Sequence, residues 1–299
     1  MIKVIAFLKK RYNQLVLHRW DLGFISNSMD SILSGEEPSI QRVKSQYRDR
    51  WFADPFILDY NDEEIILLVE DYSDSDKKGK ISKLVIDRKS LKLKDVKIIL
   101  ELDTHLSFPA IIRKEGRVFI YPENSDAGGL WLYEYDIEKD ECQKVSQLSD
   151  EPLTDAVLTE RFGRKHIFST KEPDPNNNII GVYEWDEKNK EYSLKQEVCF
   201  QEKIARNAGD FFEWNGNIYR AAQECNQMYG HAISIQKIEE KDGVFQMNEV
   251  RRILPPKGAF GIHTFNTYKG LTVVDLKVFR HPWIAVPLFK LRNLFKNAR

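Results

Sequence analysis

The chain has 299 residues, with 45 Lys and Arg against 46 Asp and Glu, 42% hydrophobic and 12% aromatic, enough apolar material for a substantial core and against wholesale disorder. No apolar run approaches the roughly 20 residues of a membrane-spanning helix, and the opening MIKVIAFLKKR has too short an apolar stretch for a secretory signal, so a cytoplasmic protein is expected. Three cysteines, Cys142, Cys199 and Cys225, indicate neither a disulfide framework nor a zinc site.

Residues 1–17 read as a basic amphipathic segment, with Ile2, Ile5, Phe7 and Leu8 beside Lys3, Lys9, Lys10 and Arg11. From 18 to 280 the chain repeats itself. Turn signals at Asn61-Asp62, Glu115-Gly116, Phe162-Gly163, Asn215-Gly216 and Lys269-Gly270 follow one another at steps of 54, 47, 53 and 54. Each joins two strand-like runs: FADPFIL to EIILLVE, SFPAIIR to RVFIYPE, TDAVLTE to KHIFSTK, AGDFFEW to NIYRAAQE, and HTFNTY to LTVVDLK. Asn-Gly is the strongest of the turns, because both residues tolerate positive φ. A second strand pair follows most hairpins, such as KISKLVID with KDVKIILEL. Four-stranded units at this spacing predict an all-β fold, a five-bladed β-propeller with antiparallel blades. The fifth unit is short after Lys277, so HRWDLGFIS at 18–26 is expected to complete it and close the ring.

Residues 281–299 form a second basic amphipathic segment, with Leu288, Leu291, Leu294 and Phe295 on one face of a short helix expected after Pro287. Eleven cations and no acid lie in 1–19 and 277–299, which leaves 34 basic against 46 acidic residues between 20 and 276. That body carries a formal charge of −12 and should repel nucleic acid. Its ends should attract an anionic membrane surface by about 1 kcal/mol per cation, which suits a peripheral protein of the inner membrane face. The alternative is that the ends pack on the propeller or mediate oligomerisation.

In a propeller the first run of each hairpin lines one shared axis. Ala53-Asp54-Pro55, Phe108-Pro109-Ala110, Thr154-Asp155-Ala156, Ala208-Gly209-Asp210 and His263-Thr264-Phe265 therefore converge. The second runs end in polar residues at a matching offset: Glu70, Glu123, Lys171 and Gln223. Asp54, enclosed in WFADPF, would carry a desolvation cost of several kcal/mol if nothing used or paired it. Asp155 stands at the same register two blades on, and paired carboxylates flanking a sugar ring are the equipment of glycosidic chemistry. The competing explanation is an ion pair with Arg206. Tyr121, Tyr219 and Phe212 read as core. The Asp74-Ser75-Asp76 triplet lies in a Lys-rich turn and EPDPNNN at 172–178 in another, which solvated turn chemistry explains.

HRWDLGFI, WFADPFIL, ILLVEDY, HLSFPAI, YPEN, ARNAGDFFEWNGNIYRAAQECNQMYGHAISI and GIHTFN, in that order from about 18 to 275, carry a resemblance. The blade starts resemble those of the five-bladed glycoside hydrolases of the arabinanase, xylosidase and invertase superfamily. The whole run is more similar to the propeller domain at the N-terminus of plant glucosamine inositolphosphorylceramide transferases and their bacterial stand-alone relatives. The resemblance implies Asp54 in the place of a general base and Asp155 in that of the residue tuning the acid. The glutamate that those hydrolases use as acid falls here within Asn207-Ala208-Gly209 and is missing.

An alkoxide leaving group needs a proton, worth about 10²- to 10⁴-fold, whereas phosphate leaves without one. The expectation is therefore a glycosyltransferase using a nucleotide- or lipid-linked sugar in cell-surface polysaccharide or glycolipid assembly. Arg206, Arg220, Lys171 and His263 are candidate charge stabilisers, and Glu70, His105, Gln223, Glu224 and Tyr229 candidate sugar contacts. For Arg220 and Gln223 the alternative is an inter-blade hydrogen-bond network. A glycoside hydrolase with Glu123 or Glu224 as relocated acid, and a non-catalytic glycan-binding propeller, are the competing functions. No metal or cofactor is expected, since no phosphate-binding glycine loop, HExxH or serine elbow occurs.

Overall fold

The computed structural model describes residues 17–288. The amphipathic readings of the two ends therefore lie largely outside the described residues. Within them, residues 282–288 are already helical, earlier than expected, because Pro282 sits at the first helical position, where its fixed φ and missing N–H cost nothing.

The chain enters through β1 (His18–Ile25), a single-turn helix α1 (Met29–Leu33) capped by Ser28, and β2 (Ile40–Arg42). Four sheets of consecutive strands follow: β3 (Arg50–Tyr60) to β6 (Leu93–Leu100), β7 (Ser107–Lys114) to β10 (Glu141–Ser149), β11 (Leu153–Thr159) to β14 (Glu191–Cys199), and β15 (Phe212–Trp214) to β18 (Val244–Ile253). The fifth sheet has the order β19-β20-β1-β2, with β19 (Phe265–Tyr268) and β20 (Leu271–Phe279) from the far end of the chain. β1 pairs antiparallel with β20 from His18↔Phe279 to Ile25↔Thr272, so the expected N-terminal closure is present and the ring is five-bladed.

Burial follows position in the blade. β3 is buried on both faces from Phe52 to Leu58, because blades flank it on either side, whereas the outermost β10 is exposed along most of its length. Between blades the sheets pack face to face through aromatic and aliphatic side chains. Phe108 meets Phe56 edge-on at 4.9 Å, and Phe168 meets Phe211 and Phe245 at 5.0 and 5.1 Å.

The innermost strands share one irregularity. Pairing jumps from Ala53↔Glu70 to Phe56↔Leu68, from Ser107↔Glu123 to Ala110↔Tyr121, and from Thr154↔Thr170 to Val157↔Phe168. At each bulge the leading residue is left-handed: Asp54, Phe108 and Asp155 have φ of 48°, 46° and 48°. Non-glycine residues there cost on the order of 1–3 kcal/mol each, and packing from both sides holds them. The gain is that their amides leave the ladder. Phe108 N–H donates to Asp54 Oδ2 (3.1 Å), Asp155 N–H to Glu123 Oε2 (3.0 Å), and Asp54 N–H to Asp275 Oδ2 (3.0 Å), so each blade is tied to the one before it. In the fourth blade Gly209 stands at the matching position with φ of 155°; a Cβ there would stand 2.3 Å from the Phe265 carbonyl of the next blade, and the following amide, of Asp210, donates to Asn266 Oδ1 (2.7 Å) there. The inner strand β15 accordingly begins only at Phe212, later than the AGDFFEW run suggests.

Candidate active site

All five inner runs begin, and their partner strands end, at one mouth of the ring, which brings Asp54 and Asp155 to the hub as expected. They are 4% and 2% exposed. Asp54 accepts from the Thr264 hydroxyl (2.9 Å) and faces His263 Nε2 at 3.3 Å. His263 Nδ1 lies 2.6 Å from Asp275 Oδ1, which also accepts the backbone amides of His263 and Thr264. The His263 ring stacks on Trp20 with centroids 3.7 Å apart, so its plane is fixed. The result is a buried chain Asp275–His263–Asp54. Burial pushes the Asp54 pKa up to about 7, against the opposing pull of His263 and with Asp155, Glu70 and Asp275 adding to the rise. Burial disfavours the His263 cation, but the Asp275 and Asp54 carboxylates outweigh it and raise the imidazole above its ordinary value. Asp54, His263 and Asp275 also offer three atoms close enough for one metal ion. Both imidazole nitrogens face carboxylates, however, which is the geometry of a proton relay.

Asp155 has different company. Arg206 Nε donates to its Oδ2 at 2.6 Å and Gln223 Nε2 at 2.8 Å, while Arg206 Nη2 lies 3.6 Å from Glu123. The ion pair weighed against a catalytic Asp155 is thus present, and Asp54 takes no part in it. Burial, reinforced by the Asp155 charge, raises Glu123 well above the usual carboxylate range despite Arg206 nearby. Asn207, in the Asn207-Ala208-Gly209 run, is fully buried and donates to the Asp155 and Phe168 carbonyls at 2.8 Å, a structural clamp whose amide is no acid. Tyr229 stands between Arg206 and His263. Its ring lies 5.0 Å from the Arg206 guanidinium and 5.2 Å from the His263 ring, so it borders both halves of the hub.

The remaining candidates separate by partner. His105 Nδ1 accepts the Gly79 amide (3.0 Å), which leaves the proton on Nε2, 3.3 Å from Glu70; both border the hub. Lys171 is exposed and pairs with Glu151 at 2.7 Å. Glu224 is turned to His231 Nδ1 (2.6 Å) and the Asn226 amide (2.6 Å), so it anchors the 225–231 loop and stands apart from the Asp54–Asp155 pair. Arg220, in β16 (Asn217–Glu224), is fully buried, donating to the Ala205 carbonyl and Met247 Sδ of its own blade with the Phe200 ring 5.9 Å from its guanidinium, whereas Gln223 makes the bond that crosses to the third blade, at Asp155. Sequence reading placed Thr264 on the axis but missed Asp275, and also Asn266, which donates to the Pro55 carbonyl (2.9 Å) and accepts the Asp210 amide (2.7 Å). The cue for Asp275 was available: like Asp54 it is an acid inside an apolar strand. A cleft of about 410 Å³ lined by Arg113, Arg161, Tyr192 and Asp210 lies at the opposite mouth, away from this chemistry.

Comparison with known proteins agrees with this architecture. A thermostable family-43 glycoside hydrolase superposes with a TM-score of 0.56 at 11% identity, covering 81% of this chain and 89% of that one. The family 43 β-xylosidase/α-arabinofuranosidase CoXyl43, from a compost microbial metagenome, gives 0.53 at 12%, covering 76% and 86%. Such low identity establishes the fold alone. In sequence, the glucosamine inositolphosphorylceramide transferase 1 of Arabidopsis thaliana is 26% identical over 218 residues, 69% of this chain but 27% of the plant protein. That of Oryza sativa subsp. indica is 25% identical over 206 residues, 65% and 27%. The chain thus spans about a quarter of the length of these relatives. Residues 38–286 match the family described as "Glucosamine inositolphosphorylceramide transferase 1, N-terminal", and with most of its length covered the chain belongs to that family.

Proposed function

We propose that this propeller is a carbohydrate-active enzyme that transfers a sugar from a phosphate-linked donor to an acceptor hydroxyl, with Asp54 as the base. The observation that carries the reading is the Asp275–His263–Asp54 chain: it supplies a buried carboxylate whose proton affinity lies near neutrality, where a general base works best. Asn207 offers no proton to a leaving group, which favours a leaving phosphate. The hub gathers Asp54, Glu70, Glu123, Asp155 and Asp275 against Arg206 and His263, so it suits a neutral or cationic sugar, with the phosphate held outside the carboxylates. The name of the plant relatives, which denotes a glucosamine transferase, supports the same class. The acid-free basic ends support a place in cell-surface glycan assembly on the cytoplasmic face of a membrane. Asp54→Asn tests the reading: donor consumption and transfer should vanish with the fold intact, and full activity rejects it.

A second reading, hydrolysis with a relocated acid, is favoured by one observation, the raised Glu123 carboxyl beside Asp155. It requires release of free sugar from an aryl glycoside, and loss of that release in Glu123→Gln. Glu224 is held by His231 (2.6 Å), away from the Asp54–Asp155 pair.

A further inference from the structure

Both ends of the described chain leave the propeller at the mouth that holds the carboxylates. β20 runs from the Lys269-Gly270 turn up to Phe279, which pairs with His18 at the start of β1, and the Arg280 amide donates to the Leu17 carbonyl (2.8 Å). Arg280 then reaches Asp74 at 2.6 Å and the Arg48 carbonyl. Asp74 follows β4 (Glu64–Ser73), which bears Glu70, and Arg48 precedes β3, so both connections lie on the hub mouth. Lys277 spans the gap, its ammonium 5.2 and 5.4 Å from the Trp20 and Tyr229 rings. The hairpin turns at 61–62, 115–116, 215–216 and 269–270 occupy the opposite face.

Next to this exit the surface is apolar. Trp283 is 92% exposed, Ile284 48%, Leu17 44% and Val286 37%, while the fully buried Ala285 seats the segment on the body. The sequence beyond adds Lys3, Lys9, Lys10 and Arg11 at one end and Lys290, Arg292, Lys296 and Arg299 at the other, with no acid. The body between 20 and 276 has an excess of acid. An anionic surface thus attracts the exit and repels the remainder, and an exposed Trp beside cations suits the headgroup boundary.

We propose that the protein docks on an anionic lipid bilayer through this exit patch with its hub mouth turned to the headgroups. This orientation does not depend on the hub being the sugar site.

Flotation of the full chain with phosphatidylcholine vesicles, with and without phosphatidylglycerol, followed by amide hydrogen exchange on the bound protein, tests it. Binding should require phosphatidylglycerol and reverse with salt. Exchange should slow in 74–78, 226–230 and 281–288 and stay unchanged at 115–116 and 215–216. Trp283→Ala should lower vesicle partitioning about tenfold, the scale of losing one interfacial aromatic anchor, without moving the melting temperature. Binding indifferent to phosphatidylglycerol, or slowed exchange at the hairpin turns, overturns the proposal. Asp54→Asn should float as the parent does. If it does so with the same exchange pattern yet transfers sugar at the parental rate, the base assignment falls and the orientation stands.

Discussion

Arg206 and Arg220 lie fourteen positions apart in one blade, both withdrawn from water, and they meet opposite surroundings. Arg206 faces the hub, where Asp155 at 2.6 Å and Glu123 at 3.6 Å raise its pKa well above the ordinary value although burial opposes it. Arg220 lies in the seam between the third and fourth blades with no carboxylate partner among the described residues, and burial pushes it down to about 9. A ring of sheets thus offers two kinds of interior. The seams are apolar and tolerate an odd polar group at a cost; the hub is where charges from several blades compensate one another.

The contrast can be broken by experiment. The largest effect expected is on turnover: Asp54→Asn should lower sugar transfer by at least about 100-fold, measured with radiolabelled donor, because the base is removed, whereas Arg220→Met should leave the rate unchanged. Equal losses from both would erase the distinction between hub and seam. On stability the order is set by pairing. Arg206→Met leaves Asp155 and Glu123 uncompensated and should cost about 3–5 kcal/mol in urea unfolding, and adding Asp155→Asn should recover part of it.

Stability should also depend on pH through the hub. Asp54 has its pKa raised from 3.8 to about 7, so its contribution is fully present below 3.8 and lost as pH rises through about 7. His263, raised from 6.5, contributes fully below 6.5 and loses that contribution as pH rises through its folded value. The melting temperature should therefore fall as pH goes from about 6 to 8, and Asp54→Asn should flatten the slope; a wild-type curve that rises there contradicts the relay. The smallest effect concerns the seam. Arg220→Met should leave the melting temperature unchanged or modestly raised, since an apolar side chain of similar volume replaces an uncompensated charge.

Much of this was legible in one dimension. The in-phase turns announced the blades, and WFADPF marked Asp54, because an acid amid aromatics must be accounted for. Asp275 carried the same mark in LTVVDLK, but it lies within β20 (Leu271–Phe279) and not at its end, where the polar residues of the other second strands stand. Glu224 and Arg220 misled for a common reason. Strand position tells which residues end near the mouth, but β16 pairs regularly with β17, so its side chains alternate and Gln223 meets Asp155 while Glu224 turns to His231.

The sequence by itself determined the blade count, the N-terminal closure and the convergence of Asp54 with Asp155, because period and turn chemistry are local properties. Only the tertiary structure decided that Asp155 is matched by Arg206 while Asp54 is joined through His263 to Asp275, and that both chain ends emerge beside the hub. Those outcomes depend on contacts between blades more than 50 residues apart in the chain, whose geometry no local pattern encodes.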